Sequence, residues 1–233
     1  MTEPTSERAE LTDWATLSER SWPVLLIGNG MSVNLWNGFS YPSLHELAML
    51  SPAATAVFDE IQTTNFEAAL EVIHHAHVVA VALGRATREI DETYEAVKTA
   101  LFDAVVGAHV PRDRIPQATK DSYAAELGSH SEIYTTNYDL VTYWTRLGSS
   151  QGAGIKDFFW QPDQTFNRAD VDTSDPAFFY LHGAVHLWQD DHGLNGKWTY
   201  EAAGNLLSAA DNYTPNSSRP LTARLLVSQL SSI

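Results

Sequence analysis

The 233-residue sequence contains no cysteine. That absence excludes a disulfide framework, a thiolate zinc module and a cysteine nucleophile. Basic residues are also scarce: 14 Lys and Arg stand against 29 Asp and Glu, for a formal net charge of −15. Such a surface repels nucleic-acid phosphates unless a local basic patch overrides it. Arg112, Arg114 and Lys120 are scattered among other residue types, so no nucleic-acid partner is expected. No run approaches the roughly 18 apolar residues of a membrane helix. The N-terminus, Met1-Thr2-Glu3-Pro4-Thr5-Ser6-Glu7, lacks the basic and apolar regions of a signal peptide. A cytoplasmic protein without membrane contact is the expectation. Internal repeats and low-complexity segments are missing as well.

What is present is an apolar fraction of 44% with 18% charged residues, enough for a proper core. Three short segments stand out: Val24–Ile27 running into Gly28-Asn29-Gly30-Met31-Ser32, Ile133–Thr135 into Thr136-Asn137-Tyr138-Asp139, and Ala177–Leu181 into His182-Gly183. Each is a β-prone run ending in small or polar residues. Ligands of open α/β sheets bind where strands end at their carboxyl edges. Three such ends can build one nucleotide site.

Between the first and second segments the periodicity is helical. Ser43 is the expected cap of a helix starting near Pro42. Asn65 is expected to cap a helix that runs to about Leu83 and ends at Gly84. Arg85–Ala108 carries the stripe Ile90, Tyr94, Val97, Leu101 and Val105. Ala118–Leu127 is a further helical stretch, and Leu140–Leu147 follows the second segment. Asp157–Trp160 reads as a short strand, and Gln161–Asp175 and Gln189–Gly196 read as loops. The expected fold class is therefore α/β, a Rossmann-like, mostly parallel sheet with helices on both faces. Residues 1–21 form a polar leader. Residues 22–233 form a single domain, with 43–128 as a largely helical insertion. A doubly wound fold normally has further strands. None is legible near the C-terminus, which is either shortened or disguises them.

Each motif has a plain alternative. Gly28-Asn29-Gly30 permits close backbone approach to a pyrophosphate, with Ser32 as a hydroxyl donor. It also reads as an ordinary turn after a core strand. Asn137 can hold a ribose hydroxyl or place a water, yet Asn137 or Asp139 can simply cap the next helix. His182 suits general-base work near neutral pH, although a strand-end histidine is often structural. His182, His186 and His192 lack an H-E-x-x-H pattern, and His74, His75 and His77 cannot all face one metal from a helix. No metal is expected.

Taken in order, Leu-Ile-Gly-Asn-Gly-Met-Ser, Asn65-Phe66-Glu67, Tyr-Thr-Thr-Asn-Tyr-Asp and Tyr-Leu-His-Gly resemble the sirtuin-like NAD-binding domain. More specifically, the chain is similar to the bacterial sirtuin-like domains of antiphage defence proteins. The resemblance covers about residues 22–200, in short islands. It implies that Gly28, Gly30 and Ser32 lie on the NAD-binding loop, with Asn29 where the family usually has alanine. It implies that Asn137 and Asp139, with Thr136, belong to the nicotinamide-ribose motif. It makes His182, next to Gly183, the catalytic histidine. The four-cysteine module of the deacylating branch is absent, so the resemblance points to NAD as substrate or ligand and to an NAD glycohydrolase releasing nicotinamide and ADP-ribose. It also implies antiviral defence and assembly into a homo-oligomer or with a partner defence protein. Three competing readings remain at this point. They are a non-catalytic NAD or ADP-ribose sensor, an interaction module, and a Rossmann oxidoreductase. The last is disfavoured by the incomplete glycine pattern, because Asp59 and Glu60 lie too far from the loop.

Overall fold

The computed structural model describes residues 13–17, 19–152, 154–172, 174–190, 193–198 and 218–220. In chain order these form α1 (Trp14–Leu17), β1 (Val24–Ile27), α2 (Gly30–Leu35), α3 (Tyr41–Leu47), α4 (Pro52–Ile61), α5 (Phe66–Ala82), α6 (Arg88–Ala108) and α7 (Gln117–Gly128). Then come β2 (Glu132–Thr135), α8 (Val141–Gly148), β3 (Ala177–Tyr180), β4 (Leu187–Asp190), β5 (Asn195–Lys197) and β6 (Ser218–Pro220). The fold is α/β and Rossmann-like, with helices filling the whole interval between β1 and β2.

The central sheet has three parallel strands in the order β1-β2-β3. Its register aligns Ile27 with Thr135 and Thr135 with Tyr180. Leu25, Ile27, Ile133, Phe178 and Tyr180 occupy one face and pack with Leu127 of α7 and with Ile155. The Arg146 guanidinium of α8 lies 5.5 Å from the Phe178 ring on this same side. On the opposite face Tyr134 stacks on Phe179 at 4.6 Å, with Phe158 against Phe179 at 5.0 Å. Leu26, also on that face, is 67% exposed.

The larger core is helical. Phe39, Leu44, Phe58, Phe66, Leu70, Ile73, Val97 and Leu101 bring α3, α4, α5 and α6 together. The expected stripe on α6 is the buried one, since Val97, Leu101 and Val105 are all core. Asn65 caps α5 as anticipated, its Oδ1 accepting from the amides of Glu67 (2.9 Å) and Ala68 (3.3 Å). Gly84, at φ +63°, ends the same helix.

Four local expectations are corrected. The cap of α3 is Ser40, whose hydroxyl accepts from the Ser43 amide, because Tyr41 and Pro42 already lie in the first turn. The supposed turn Gly28–Ser32 is shorter, because α2 begins at Gly30. Asp157–Trp160 is not a strand: Lys156 makes only an isolated bridge to Ala177. The segment Gln189–Gly196 is not all loop, because β4 pairs antiparallel with both β5 and β6 in a second sheet. Strands this short carry too few residues to show alternation in sequence. The helix α4 had no sequence reading at all, although Ser51 caps it and Pro52 opens it.

The second sheet is fastened by one buried carboxylate. Asp157 accepts from Arg146 Nη1 of α8 at 2.9 Å and from Lys197 Nζ of β5 at 3.0 Å. Burial alone would raise the Asp157 pKa, but the two cations hold it below the ordinary carboxylate range. Beside them His186 is fully buried, with neither ring nitrogen hydrogen-bonded. Its ring packs on Tyr143 at 4.5 Å and Tyr180 at 5.2 Å. Burial, reinforced by Lys197, pushes its pKa down to about 3.

Two outcomes are expected in denaturant titrations. Asp157→Ala strands two buried cations and should cost about 3–5 kcal/mol. The second concerns pH. The folded state refuses the proton that the unfolded His186 accepts below 6.5, so stability falls as pH falls from 6.5 toward about 3. This single group contributes a slope of about 1.4 kcal/mol per pH unit. His186→Leu should remove that much of the slope, and an unchanged slope would refute the assignment.

Candidate functional site

The three motif strands lie side by side and run the same way, so Gly28, Thr136 and Leu181 leave the sheet at one edge. Neighbouring strands are about 4.8 Å apart, so the three ends fall within roughly 10 Å. The ladder continues just past the strands: the Thr136 amide donates to Ile27 O (3.0 Å) and the Leu181 amide to Thr135 O (2.9 Å). The structure thus brings together the residues that the sequence placed on three separate segments.

Ser32 joins the first segment to the second. It is fully buried, and its hydroxyl accepts from Asn137 Nδ2 at 2.9 Å. Ser32 also lies close enough to Asp139 to lower the pKa of its carboxyl. A phosphate donor was the sequence expectation for Ser32; in the structure its hydroxyl ties the loop of β1 to the turn after β2. Asn137 is 5% exposed and its Oδ1 has no hydrogen-bond partner. A buried acceptor without a partner calls for a reason.

Asp139 has two tasks. Its Oδ1 accepts from the Val141 amide at 2.8 Å, which starts α8. Burial raises its pKa, and Ser32, His109 and the Val141 amide pull it back. His109 had no place in the sequence reading, yet it holds this turn from behind. Its Nε2 accepts from the Leu140 amide at 2.8 Å and its Nδ1 pairs with Val110 O at 3.0 Å. A nitrogen that accepts and one that donates define the neutral imidazole. Burial lowers its pKa in agreement.

Glu67 joins the second segment to the third. The Asn65 cap sets it in the first turn of α5. There its carboxylate accepts from Tyr41 Oη and from Tyr138 Oη, each at 2.9 Å. Both tyrosine pKa values rise, with burial the larger cause and Glu67 the next. Glu67 Oε1 lies 3.9 Å from His182 Nδ1, beyond hydrogen-bond length, and the His182 ring stacks on Tyr138 at 6.1 Å. Burial lowers the His182 pKa and Glu67 partly restores it. His182 Nδ1 is buried without a hydrogen-bond partner. Glu67 was visible in the sequence only as part of Asn65-Phe66-Glu67. Its contact with His182 spans 115 residues of chain.

The glycines differ in purpose. A Cβ built on Gly28 or Gly30 meets nothing within 4 Å, and neither residue has positive φ. Nothing in the protein itself demands glycine there; the space above the backbone is open. Gly183 does require its residue type, at φ +79°, where the chain turns sharply after His182. The Asn29 side chain is turned inward and donates to Phe39 O at 2.8 Å.

Two cavities adjoin the site. One of about 330 Å³ is lined by Leu25, Gly28, Gly30, Met31, Tyr123 and Leu127. Another of about 1100 Å³ lies between α2 and the α6–α7 connection and shares His109 with the site. Neither lining includes Asn137 or His182. Among the described residues no group of three His, Asp or Glu side chains can hold a metal ion, and no helix is long and apolar enough to cross a membrane. His192 lies outside the described residues.

No curated protein matches the chain. A family described as a domain of unknown function, DUF4917, matches residues 25–222. That span runs from the first motif strand past the second sheet, and the chain belongs to the DUF4917 family.

Proposed function

We propose that the chain binds NAD at the carboxyl edge of the parallel sheet and hydrolyses its nicotinamide–ribose bond, as the sirtuin-like resemblance implies. One observation carries this reading. Residues from four distant segments meet at one sheet edge, and two of them, Asn137 and His182, carry buried polar atoms that have no hydrogen-bond partner among the described residues. The open space over Gly28 and Gly30 suits the approach of a pyrophosphate to the backbone.

In the reaction the C1′–N bond breaks, its electron pair leaves on the ring nitrogen, and nicotinamide departs neutral. The oxygen of water bonds to C1′ and gives up a proton. The transition state resembles an oxocarbenium ion, so placement of ribose and water dominates the acceleration. Asn137 is fixed through its amide nitrogen by Ser32, which leaves Oδ1 to accept from a ribose hydroxyl or the water. His182, held neutral by burial, is in the form that accepts a proton. Glu67 lies on the Nδ1 side of that ring and acts through it as a positioning residue. Thr136 and Asp139 hold the turn that presents Asn137. NAD depletion in antiviral defence is the role that the resemblance implies.

One observation favours the binding-only alternative: Asn137 and Asp139 are both only 5% exposed. Nicotinamide release from NAD separates the two readings. Release that is lost in Asn137→Ala, and falls by about 10²–10⁴ in His182→Ala, supports hydrolysis. NAD-dependent thermal stabilisation without release supports a sensor. Glu67→Gln should move the acid limb of the pH–rate profile to lower pH, because Glu67 raises the His182 pKa. A merely structural glutamate would leave that limb in place.

A further inference from the structure

The cavity of about 1100 Å³ takes no part in the chemistry proposed above. It lies at the far end of α2 from the sheet edge, between Trp36 and the α6–α7 connection, and is ample for a small molecule. Gly107, in the last turn of α6, lines it. Glycine weakens a helix, and no positive φ requires one at this position. A Cβ built on Gly107 meets nothing within 4 Å. The missing side chain therefore leaves a space that its neighbours do not fill. One wall is the Trp36 indole, 47% exposed and pinned by its Nε1, which donates to Ala108 O at 2.9 Å. Another is Tyr123, whose hydroxyl accepts from Asn34 Nδ2 at 3.2 Å and keeps its own proton to donate.

The lining reverses the charge of the chain. Acidic residues outnumber basic ones by 29 to 14, yet among the described residues no Asp or Glu lines this cavity, and its one formal charge is that of Arg114. A guanidinium beside aromatic surface suits a flat anion, which it meets with a fork of N–H donors. We infer that the cavity binds a small aromatic anion, with its ring on the Trp36 indole and its carboxylate or phosphate on Arg114. Two walls of the cavity also hold the turn that carries Asn137. The Trp36 amide donates to Ser32 O at 2.8 Å, and the Ser32 hydroxyl accepts from Asn137. His109 lines the cavity, and its Nε2 accepts from the Leu140 amide. A ligand that steadies these walls steadies residues 137–140. Its effect on turnover, unlike its binding, rests on the NAD reading of that turn.

Calorimetry on the purified chain with 1-naphthoate and 1-naphthyl phosphate tests the site, with the neutral 1-naphthylmethanol as control. An anion should bind once per chain, about 10–100-fold more tightly than the alcohol, and the tighter of the two anions names the acid group. Arg114→Ala should erase that preference. Gly107→Leu fills the open space and should abolish binding of all three probes. Arg114 is exposed and leucine favours a helix over glycine, so neither substitution threatens the fold, and circular dichroism checks that. Absence of anion binding at millimolar concentration, equal binding of the alcohol, or anion binding retained in Gly107→Leu overturns the proposal. Hydrogen exchange tests the link to the turn. The bound anion should slow the Leu140 amide more than the Phe178 amide of β3, and an equal effect on both overturns the link through His109. None of these outcomes depends on nicotinamide release.

Discussion

The parallel pairing of β1, β2 and β3 in one register is the constraint on which the candidate site depends. Because Ile27, Thr135 and Tyr180 are aligned, the residues after each strand emerge at the same height. A slip of one residue on any strand would exchange its two faces. The buried positions Ile27, Ile133 and Phe178 resist such a slip, since it would send them to the side where Leu26 is exposed. Core packing on α7 thus fixes the height of Gly28, Thr136 and Leu181. The polar contacts above the sheet refine an arrangement that apolar contacts below it have set.

Above the strands, two small devices connect the segments. The Ser32 hydroxyl accepts from Asn137 and lies close enough to Asp139 to lower its pKa. Glu67 has two oxygens and gives one to each of Tyr41 and Tyr138. Both groups are thereby oriented without freezing Asn137 Oδ1 or His182 Nδ1, which keep their bonding capacity. The buried histidines serve a different end. His109 spends both nitrogens on backbone, whereas His186 spends neither and is a neutral, space-filling ring.

Much of this was legible in the sequence where the signal is local. The three strands appear as apolar runs, the α5 cap as Asn65, its end as Gly84, and the α6 core stripe as its 3.6-residue repeat. Asn137, Asp139 and His182 were visible as strand-end polar residues. What was hidden depends on contacts distant in sequence. His109 follows a helix end and carries no pattern, and its role appears only when the Leu140 amide arrives 31 residues later. The inward turn of Ser32 depends on the helix beginning at Gly30, one residue choice that propensity does not settle. The second sheet has strands of three or four residues, too short for periodicity, and its anchor Asp157 looked like part of a strand because aromatic neighbours surround it.

The left-handed conformation of Gly183 has an evolutionary corollary. Any side chain there is strained, so a replacement must shift the backbone immediately after His182, and the ring would leave its place beside Tyr138 and Glu67. Histidine and glycine therefore form a single heritable unit. A relative that retains the histidine but has lost the glycine holds an imidazole aimed elsewhere, and one that retains the pair inherits the geometry even where the surrounding loops have diverged beyond alignment.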